Sequence, residues 1–294
     1  MTKIGALEAG GTKMVLAVYT AEGQELERIT LPTETPDITL PKMTAYFRDH
    51  GVDALGVSAF GPLDLDPASP TYGWITTTPK LDWRNTPLLP ALLDGRDIPA
   101  GIDTDVNGAV IAEVEMGAAR GCDSAVYVTV GTGIGGGVYV NGRTVHGLLH
   151  PEVGHMLLRP HPEDPIPDGV CPYHRGCLEG LAAGPAIAAR GGGDAKALPD
   201  DHPAFEIEAH YLAQMCANLI LTVSPQRILL GGGVMQRKAL LPMVREETKR
   251  LLNGYIASPL VNERIDETIV PPALVPLSGL VGAYLIGKKA MGDG

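Results

Sequence analysis

The chain has 294 residues, 45% of them hydrophobic, and sets 34 acidic against 23 basic side chains for a formal charge of −11. That length allows two domains of ordinary size, and the acidic balance weighs against nucleic acid, whose binding draws on clustered Lys and Arg. No apolar run is long enough to span a membrane; four cysteines and an N-terminus without a cationic, then apolar, leader make a reducing cytoplasm the expected setting.

In chain order, the first feature is a hairpin. Ile4–Glu8 is an apolar strand, Gly10, Gly11, Thr12 and Lys13 turn it, and Met14–Tyr19 returns. Ala54–Phe60 alternates into a buried strand that stops at Gly61 and Pro62. Ala100–Thr104 leads through Asp105 into a helical pattern from Val106 to about Gly117. A carboxylate at that junction either caps the helix or serves a ligand at the C-terminal end of a strand.

A second hairpin follows: Val126–Val130, the run GTGIGGG, then Val138–Val140. Tight hairpins favour glycine in any case. Two glycine-rich turns that both carry threonine imply more, an internal duplication in which each domain offers backbone N–H groups to a phosphate. Neither turn reads G-x-x-x-x-G-K-[ST], and neither opens a helix, so the P-loop and dinucleotide folds are disfavoured.

Next comes a cluster of metal-type ligands. Cys171, His174 and Cys177 are spaced C-x2-H-x2-C, and His155 upstream completes four nitrogen and sulfur donors, the composition of a closed structural zinc site. A metal-free loop or a Cys171–Cys177 disulfide are the alternatives. Glu152 and Glu179 flank the cluster. The Pro-rich, acidic stretch Arg159–Val170 reads as an exposed excursion, Cys122 and Cys216 as buried free thiols, and His50, His202 and His210 as exposed. Helical patterns cover Leu178–Arg190 and Glu206–Leu221. A third strand, Ile228–Leu230, runs through Gly231–Gly233 toward a helix over Leu240–Leu252, and an apolar helix from Gly279 to about Lys289 closes the chain.

Taken together, EAGGTK at Glu8–Lys13, TDVNGA at Thr104–Ala109, VGTGIGGG at Val130–Gly137, HPEVGH at His150–His155 and CPYHRGCLEG at Cys171–Gly180 resemble the ROK family (repressors, open reading frames, kinases), and within it the bacterial fructokinase branch. The resemblance implies an α/β, actin-like (ribonuclease H-like) ATPase fold with two domains around a nucleotide and sugar cleft. Residues 1–107, with the C-terminal helix (about 278–294) packed back on them, would form one domain; residues 108–277, carrying the zinc loop, would form the other. The implied activity is transfer of the ATP γ-phosphate to fructose, with Mg2+ accompanying ATP and Zn2+ as a structural ion. Asp105 would be the catalytic base. Gly61, Pro62, Thr104, Glu152, His155 and Glu179 would contact the sugar. Gly10, Gly11, Thr12, Lys13, Thr132, Gly133, Gly135, Gly184, Pro185, Gly232, Gly233, Val234 and Met235 would contact ATP. A homodimer is implied by the resemblance alone.

Three positions depart from the wider family pattern: Glu8 where many members have Asp, Thr104 where many have Asn, and C-x2-H-x2-C in place of C-x-C-x4-C. All three resemble the fructokinase branch; the longer Glu8 side chain leaves a part in magnesium binding open. The family's DNA-binding repressors carry a helix-turn-helix before the first phosphate loop, and the seven residues ahead of Glu8 leave no room for one. A silent sugar-sensing module would be expected to lose Asp105 or a turn. The runner-up is a glucokinase or mannokinase of broad specificity.

Overall fold

Alternation along the first strands sets the architecture of the N-terminal part. The computed structural model describes residues 1–292. In it, β1 (Lys3–Ala9), β2 (Lys13–Thr20), β3 (Glu25–Pro32), β4 (Ala54–Ala59) and β5 (Ala100–Thr104) form one sheet in the order β3-β2-β1-β4-β5. β1 and β2 are antiparallel, whereas β1, β4 and β5 run parallel. Successive side chains point to opposite faces. Leu7, Ala9, Met14, Leu16 and Val18 therefore pack on one side with Met43 and Phe47 of α1 (Pro36–Asp49) and Leu88, Leu89 and Leu92 of α2 (Leu88–Leu93). Ile4, Ala6, Val15, Ala17 and Tyr19 pack on the other side, against Leu280, Ala283 and Tyr284 of the C-terminal helix (Ser278–Gly292). Burial on both faces explains why these strands read as near-continuous apolar runs.

The second sheet contains β6 (Ser124–Val130), β7 (Ile134–Val140), β8 (Arg143–Thr144), β9 (Arg227–Gly231) and β10 (Ile269–Val270), in the order β10-β9-β6-β7-β8. Its central pair repeats the grammar of the first: an antiparallel hairpin, β6–β7, with a parallel neighbour, β9. Between the sheets in sequence lies α3 (Asp105–Met116). Next come α4 (Leu178–Ala182), α5 (Gly184–Gly191), α6 (Ala204–Thr222), α7 (Leu240–Leu252), α8 (Pro259–Asn262) and α9 (Ile265–Thr268), so that the C-terminal helix is α10. In α7, Leu240, Val244, Thr248 and Leu252 are buried at four-residue spacing, the stripe of a helix with one face on a core.

Two compact units result. One holds Met1–Glu113, Thr144–His150 and the chain from Pro276 onward; the other holds Val114–Arg143 and Pro151–Val275. The first unit thus runs to Glu113 rather than 107 and takes in Thr144–His150, a segment that the sequence assigns to the second domain.

Other local expectations need correction. The helix expected over Leu178–Arg190 is two helices, broken at Ala183, whose backbone is extended (φ −73°, ψ 162°). Pro185 has no N–H to donate to the Leu181 carbonyl, which accepts from Arg190 at 2.7 Å instead, so one helix cannot run through and the chain restarts there. The Arg159–Val170 excursion is not wholly exposed. Asp164 is buried and forms an ion pair with Arg190 at 2.9 Å while accepting from the Tyr211 hydroxyl at 2.6 Å. Cys216 is buried as expected, whereas Cys122 is half-buried. His50, His202 and His210 are half-buried, with His210 Nδ1 2.7 Å from Glu247. No helix among the described residues is long and apolar enough to cross a membrane.

Candidate active site

Parallel strands bring their C-terminal ends to one edge, and in the first unit that edge gathers three of the sequence motifs. β1 ends at Ala9, paired with Ala59 of β4, which pairs in turn with Thr104 of β5. The Gly10–Thr12 turn, Gly61–Pro62 and Asp105 follow these strand ends directly. Ligands collect at such an edge because helix N-termini and loops present backbone donors there. The turn is closed by a bond from the Gly10 amide to the Lys13 carbonyl (2.9 Å) and braced by the Thr33 hydroxyl on the Gly10 carbonyl (2.8 Å). Among the described residues, the amides of Gly11 and Thr12 have no acceptor. Lys13 is exposed. The Gly61–Pro62 peptide is cis; the Pro62 carbonyl accepts from Thr76, and the Leu63 amide donates to His150 Nε2 at 3.2 Å.

Thr104 is buried, and its hydroxyl accepts from the Asn107 amide at 3.1 Å, the bond of a helix N-cap. Asp105 is the first residue of α3 and accepts from the Val106 amide at 2.9 Å. Burial pushes its carboxyl up to about 6 against that bond. Glu8 is pushed up to about 7, by burial first and by the charge of Asp105 second, with Lys13 and the Leu280 amide opposing. Two carboxyls raised by burial at one strand edge, with the charge of Asp105 adding to the rise at Glu8, form a site poised to accept a proton or a cation.

The second unit repeats the phosphate-turn geometry. Its turn spans Gly131–Gly133, closed by the Gly131 amide on the Gly133 carbonyl (2.9 Å), and the Thr132 and Gly133 amides have no acceptor among the described residues. Gly135 lies in β7, paired with Thr129, rather than in the turn. The Gly184 amide donates to the Gly131 carbonyl at 2.7 Å, which ties the Gly184–Pro185 start of α5 to this turn. Gly232 has φ +91° and its Cα lies against the Val130 backbone, where any Cβ would collide. Gly233, Val234 and Met235 follow at the same edge, because β9 runs parallel to β6. The nucleotide residues expected in this half therefore converge.

Glu179 Oε2 accepts from the Ile134 amide at 2.9 Å. One oxygen of this expected sugar ligand thus braces the turn, an assignment that no spacing along the chain could suggest. Glu152 is exposed and precedes the short turn Val153–His155, where Gly154 lies against the Ile134 carbonyl.

The zinc-type residues come together. Donor atoms of His155, Cys171, His174 and Cys177 all lie within 4.8 Å of one another. Cys171 Sγ is 3.8 Å from His174 Nδ1, and Cys177 Sγ is 3.8 Å from His155 Nδ1. Tetrahedral Zn2+ with Zn–S of about 2.3 Å and Zn–N of about 2.0 Å requires neighbouring donors about 3.5 Å apart, so the set fits the ion. The Gly180 amide points at Cys177 Sγ (3.4 Å), an outer bond typical of a thiolate ligand. Burial pushes the free Cys177 thiol up to about 11, a cost that a bound dication would remove. The inward Nδ1 of His155 leaves its Nε2 for another partner.

A family model described as ROK family matches residues 4–290. The chain belongs to the ROK family. A fructokinase of Pediococcus pentosaceus is 43% identical over 288 residues, covering 98% of each chain. A fructokinase of Zymomonas mobilis is 42% identical over 297 residues, covering 97% of this chain and 96% of its own. The crystal structure of a ROK hexokinase from Thermus thermophilus superposes with a TM-score of 0.79 at 28% identity, both chains covered completely. The paired sheets and helices are the actin-like ATPase fold of ROK sugar kinases.

One group in this ROK chain escaped the sequence reading. Asp103 is buried and its carboxylate collects His146 Nε2 (3.1 Å), the Thr144 hydroxyl (3.0 Å), the Asn107 amide group (2.7 Å) and the Thr104 backbone amide (2.8 Å). This network holds the strand end and first turn that carry Asp105. The sequence signal was the acidic pair two residues apart, Asp103 and Asp105, which a strand would normally point to the same face.

Proposed function

We propose that this protein transfers the γ-phosphate of ATP to the 6-hydroxyl of fructose, giving fructose 6-phosphate and ADP. The observation that carries this reading is the shared edge of the first unit, where a turn with two acceptor-free amides follows β1 and a carboxyl pushed up to about 6 follows β5, parallel strands on either side of β4. Fructose as the acceptor is supported by relatives of this length and identity named fructokinase.

Roles divide by unit. In the first, Asp105 accepts the proton of the attacking hydroxyl, which is a poor nucleophile until that proton is shared. Gly10, Gly11, Thr12 and Lys13 hold phosphate oxygens, and Gly61, Pro62 and Thr104 shape the sugar side. In the second, Thr132, Gly133 and Gly135 hold phosphate, and Gly184, Pro185 and Gly232–Met235 take the adenosine end. Glu152, His155 and Glu179 bind sugar hydroxyls, His155 through Nε2. Phosphoryl transfer asks mainly for in-line positioning and neutralisation of charge, which preset backbone amides provide without reorganisation. Magnesium entering with ATP would supply charge neutralisation on the phosphates, and Glu8 and Asp105 are the carboxylates at this edge that would be at hand to hold it. Zinc held by His155, Cys171, His174 and Cys177 fixes the loop that carries Glu179. Its thiolate ligands suit a reducing cytoplasm, and the active form is taken to be a homodimer.

A coupled ADP-release assay with Mg2+ and ATP across fructose, mannose, glucose and N-acetylhexosamines tests the proposal, with NMR identifying the product. Efficient turnover of glucose or mannose but not fructose would retain a sugar kinase and reject the fructokinase assignment. No sugar-dependent ADP release at all would reject the kinase.

A further inference from the structure

The Gly10–Thr12 turn has a neighbour that no motif marks. Lys80 follows Pro79 at the start of a single helical turn, Leu81–Trp83, and its side chain crosses the phosphate turn: Lys80 Cε stands 3.5 Å from where a Cβ on Gly11 would sit. At that distance a Cβ would be in ordinary van der Waals contact with Cε, so the lysine stem lies directly beside the turn that carries the two acceptor-free amides. Several bonds hold Lys80 in that place. Its amide donates to the Thr78 hydroxyl (3.3 Å), its carbonyl accepts from the Trp83 amide (2.9 Å), and the Trp83 indole donates to the Glu34 carbonyl (2.9 Å). Trp83 is 1% exposed and Thr78 is 1% exposed, so the base of this loop is buried.

The ammonium at its tip is unclaimed. Among the described residues no carboxylate lies within ion-pair distance of Lys80. Two acids share a shallow depression with it: Glu34 is already paired with Lys42 at 2.7 Å, and Asp82 forms no ion pair with Lys80 among the described residues. A half-buried lysine without a counter-ion, fixed over a turn of open N–H groups, presents one more positive charge to whatever anion those amides hold. Lys13 does not duplicate this charge: β-strand alternation places it on the α10 side of the sheet with Glu8, whereas Trp83 and the Lys80 loop pack on the opposite side, so the two lysines flank the turn from different faces.

We propose that Lys80 is a catalytic residue that donates a charge-assisted hydrogen bond to the terminal phosphoryl group of ATP. This rests on the ATP-dependent kinase reading above. In the transfer, the bond from phosphorus to the β,γ-bridging oxygen breaks, a bond from the sugar oxygen to phosphorus forms, the hydroxyl proton goes to Asp105, and ADP leaves with the electron pair of the broken bond. Lys80 stays protonated throughout and follows the charge on the moving phosphoryl oxygens. A donor aimed at developing charge lowers the barrier more than it tightens the ground state.

The test uses Lys80→Met and Lys80→Arg in the full chain, with thermal denaturation as a folding check. Lys80→Met is expected to lower kcat about 100- to 1,000-fold with the KM for fructose nearly unchanged. Lys80→Arg, which keeps the charge, should restore at least about tenfold of that loss. Calorimetry without turnover gives a second readout: affinity for a non-hydrolysable ATP analogue should fall about tenfold or more, and affinity for ADP should stay within about twofold. Equal losses for both nucleotides, or a Lys80→Met variant with near wild-type kcat, would overturn the assignment. If Lys80→Met fails to fold, the analogue-to-ADP ratio of Lys80→Gln decides in the same way. A wild-type protein that discriminates the analogue through Lys80 yet phosphorylates no hexose would reject the proposed function and leave the phosphate contact standing.

Discussion

The Thr104 hydroxyl accepts from the Asn107 amide at 3.1 Å, and this bond caps α3. The cap at the β5–α3 junction is therefore Thr104, and Asp105 sits one residue further in, where its carboxylate is free to do chemistry. Asp105→Asn should fold and bind ATP while losing about 100- to 10,000-fold in turnover, as expected for a general base. Its thermal midpoint at pH 8 should rise by a few degrees. Burial places the folded pKa at about 6, above the ordinary 3.8, so the native state binds this proton more tightly than the unfolded chain. Stability from this group is present below pH 4 and lost as pH rises to about 6, and asparagine removes that loss. Near-normal turnover in the variant would leave Asp105 with only a structural part.

The pH profile follows from the same group. Activity in kcat/KM should rise with pH through about 6 as Asp105 deprotonates, and stay high above it. A rise centred near 4 would show a carboxylate in free water and contradict the burial seen here.

Purified protein should hold one zinc ion per chain by elemental analysis. Cys171→Ser should lower metal content and thermal midpoint together, because binding energy at a four-ligand site is also folding energy. Protein that is active, stable and zinc-free would remove zinc from the account.

The second phosphate turn has no spare volume. A Cβ on Gly133 would lie 2.7 Å from Glu179 Oε2, which accepts from the Ile134 amide. Gly133→Val should therefore break that bond and weaken ATP binding by about tenfold or more with the fold retained. Unchanged ATP affinity by calorimetry would place the nucleotide elsewhere.

The strongest stability prediction lies away from the site. Arg190 and Asp164 are 2% and 0% exposed and are joined by two bonds, with the Tyr211 hydroxyl on the same carboxylate. Arg190→Met strands Asp164 as a buried carboxylate and should cost about 3–5 kcal/mol in urea unfolding. Burial opposes the charge on Asp164, but Arg190 and Tyr211 outweigh it and hold its carboxyl below the ordinary 3.8. The pair's stabilisation is thus present above that value and lost as pH falls through the lower folded value. A cost below 1 kcal/mol would mean the network is not formed.

Features set by neighbours in the chain were legible from the sequence alone. The two hairpins declare themselves through apolar alternation on either side of Gly10–Thr12 and Gly131–Gly133, since turn chemistry and strand period are local properties. Cys171, His174 and Cys177 are legible for the same reason: three ligands within one loop can converge whatever the rest of the chain does. Tertiary structure alone decided the rest. Glu179 meets Ile134 across 45 residues, and Asp164 meets Tyr211 across 47. Asp103 meets His146 across 43, and Lys80 comes to lie over Gly11. Those pairings depend on which sheet edge or helix face each loop is packed against, and long-range packing leaves no periodic mark on the residues it brings together.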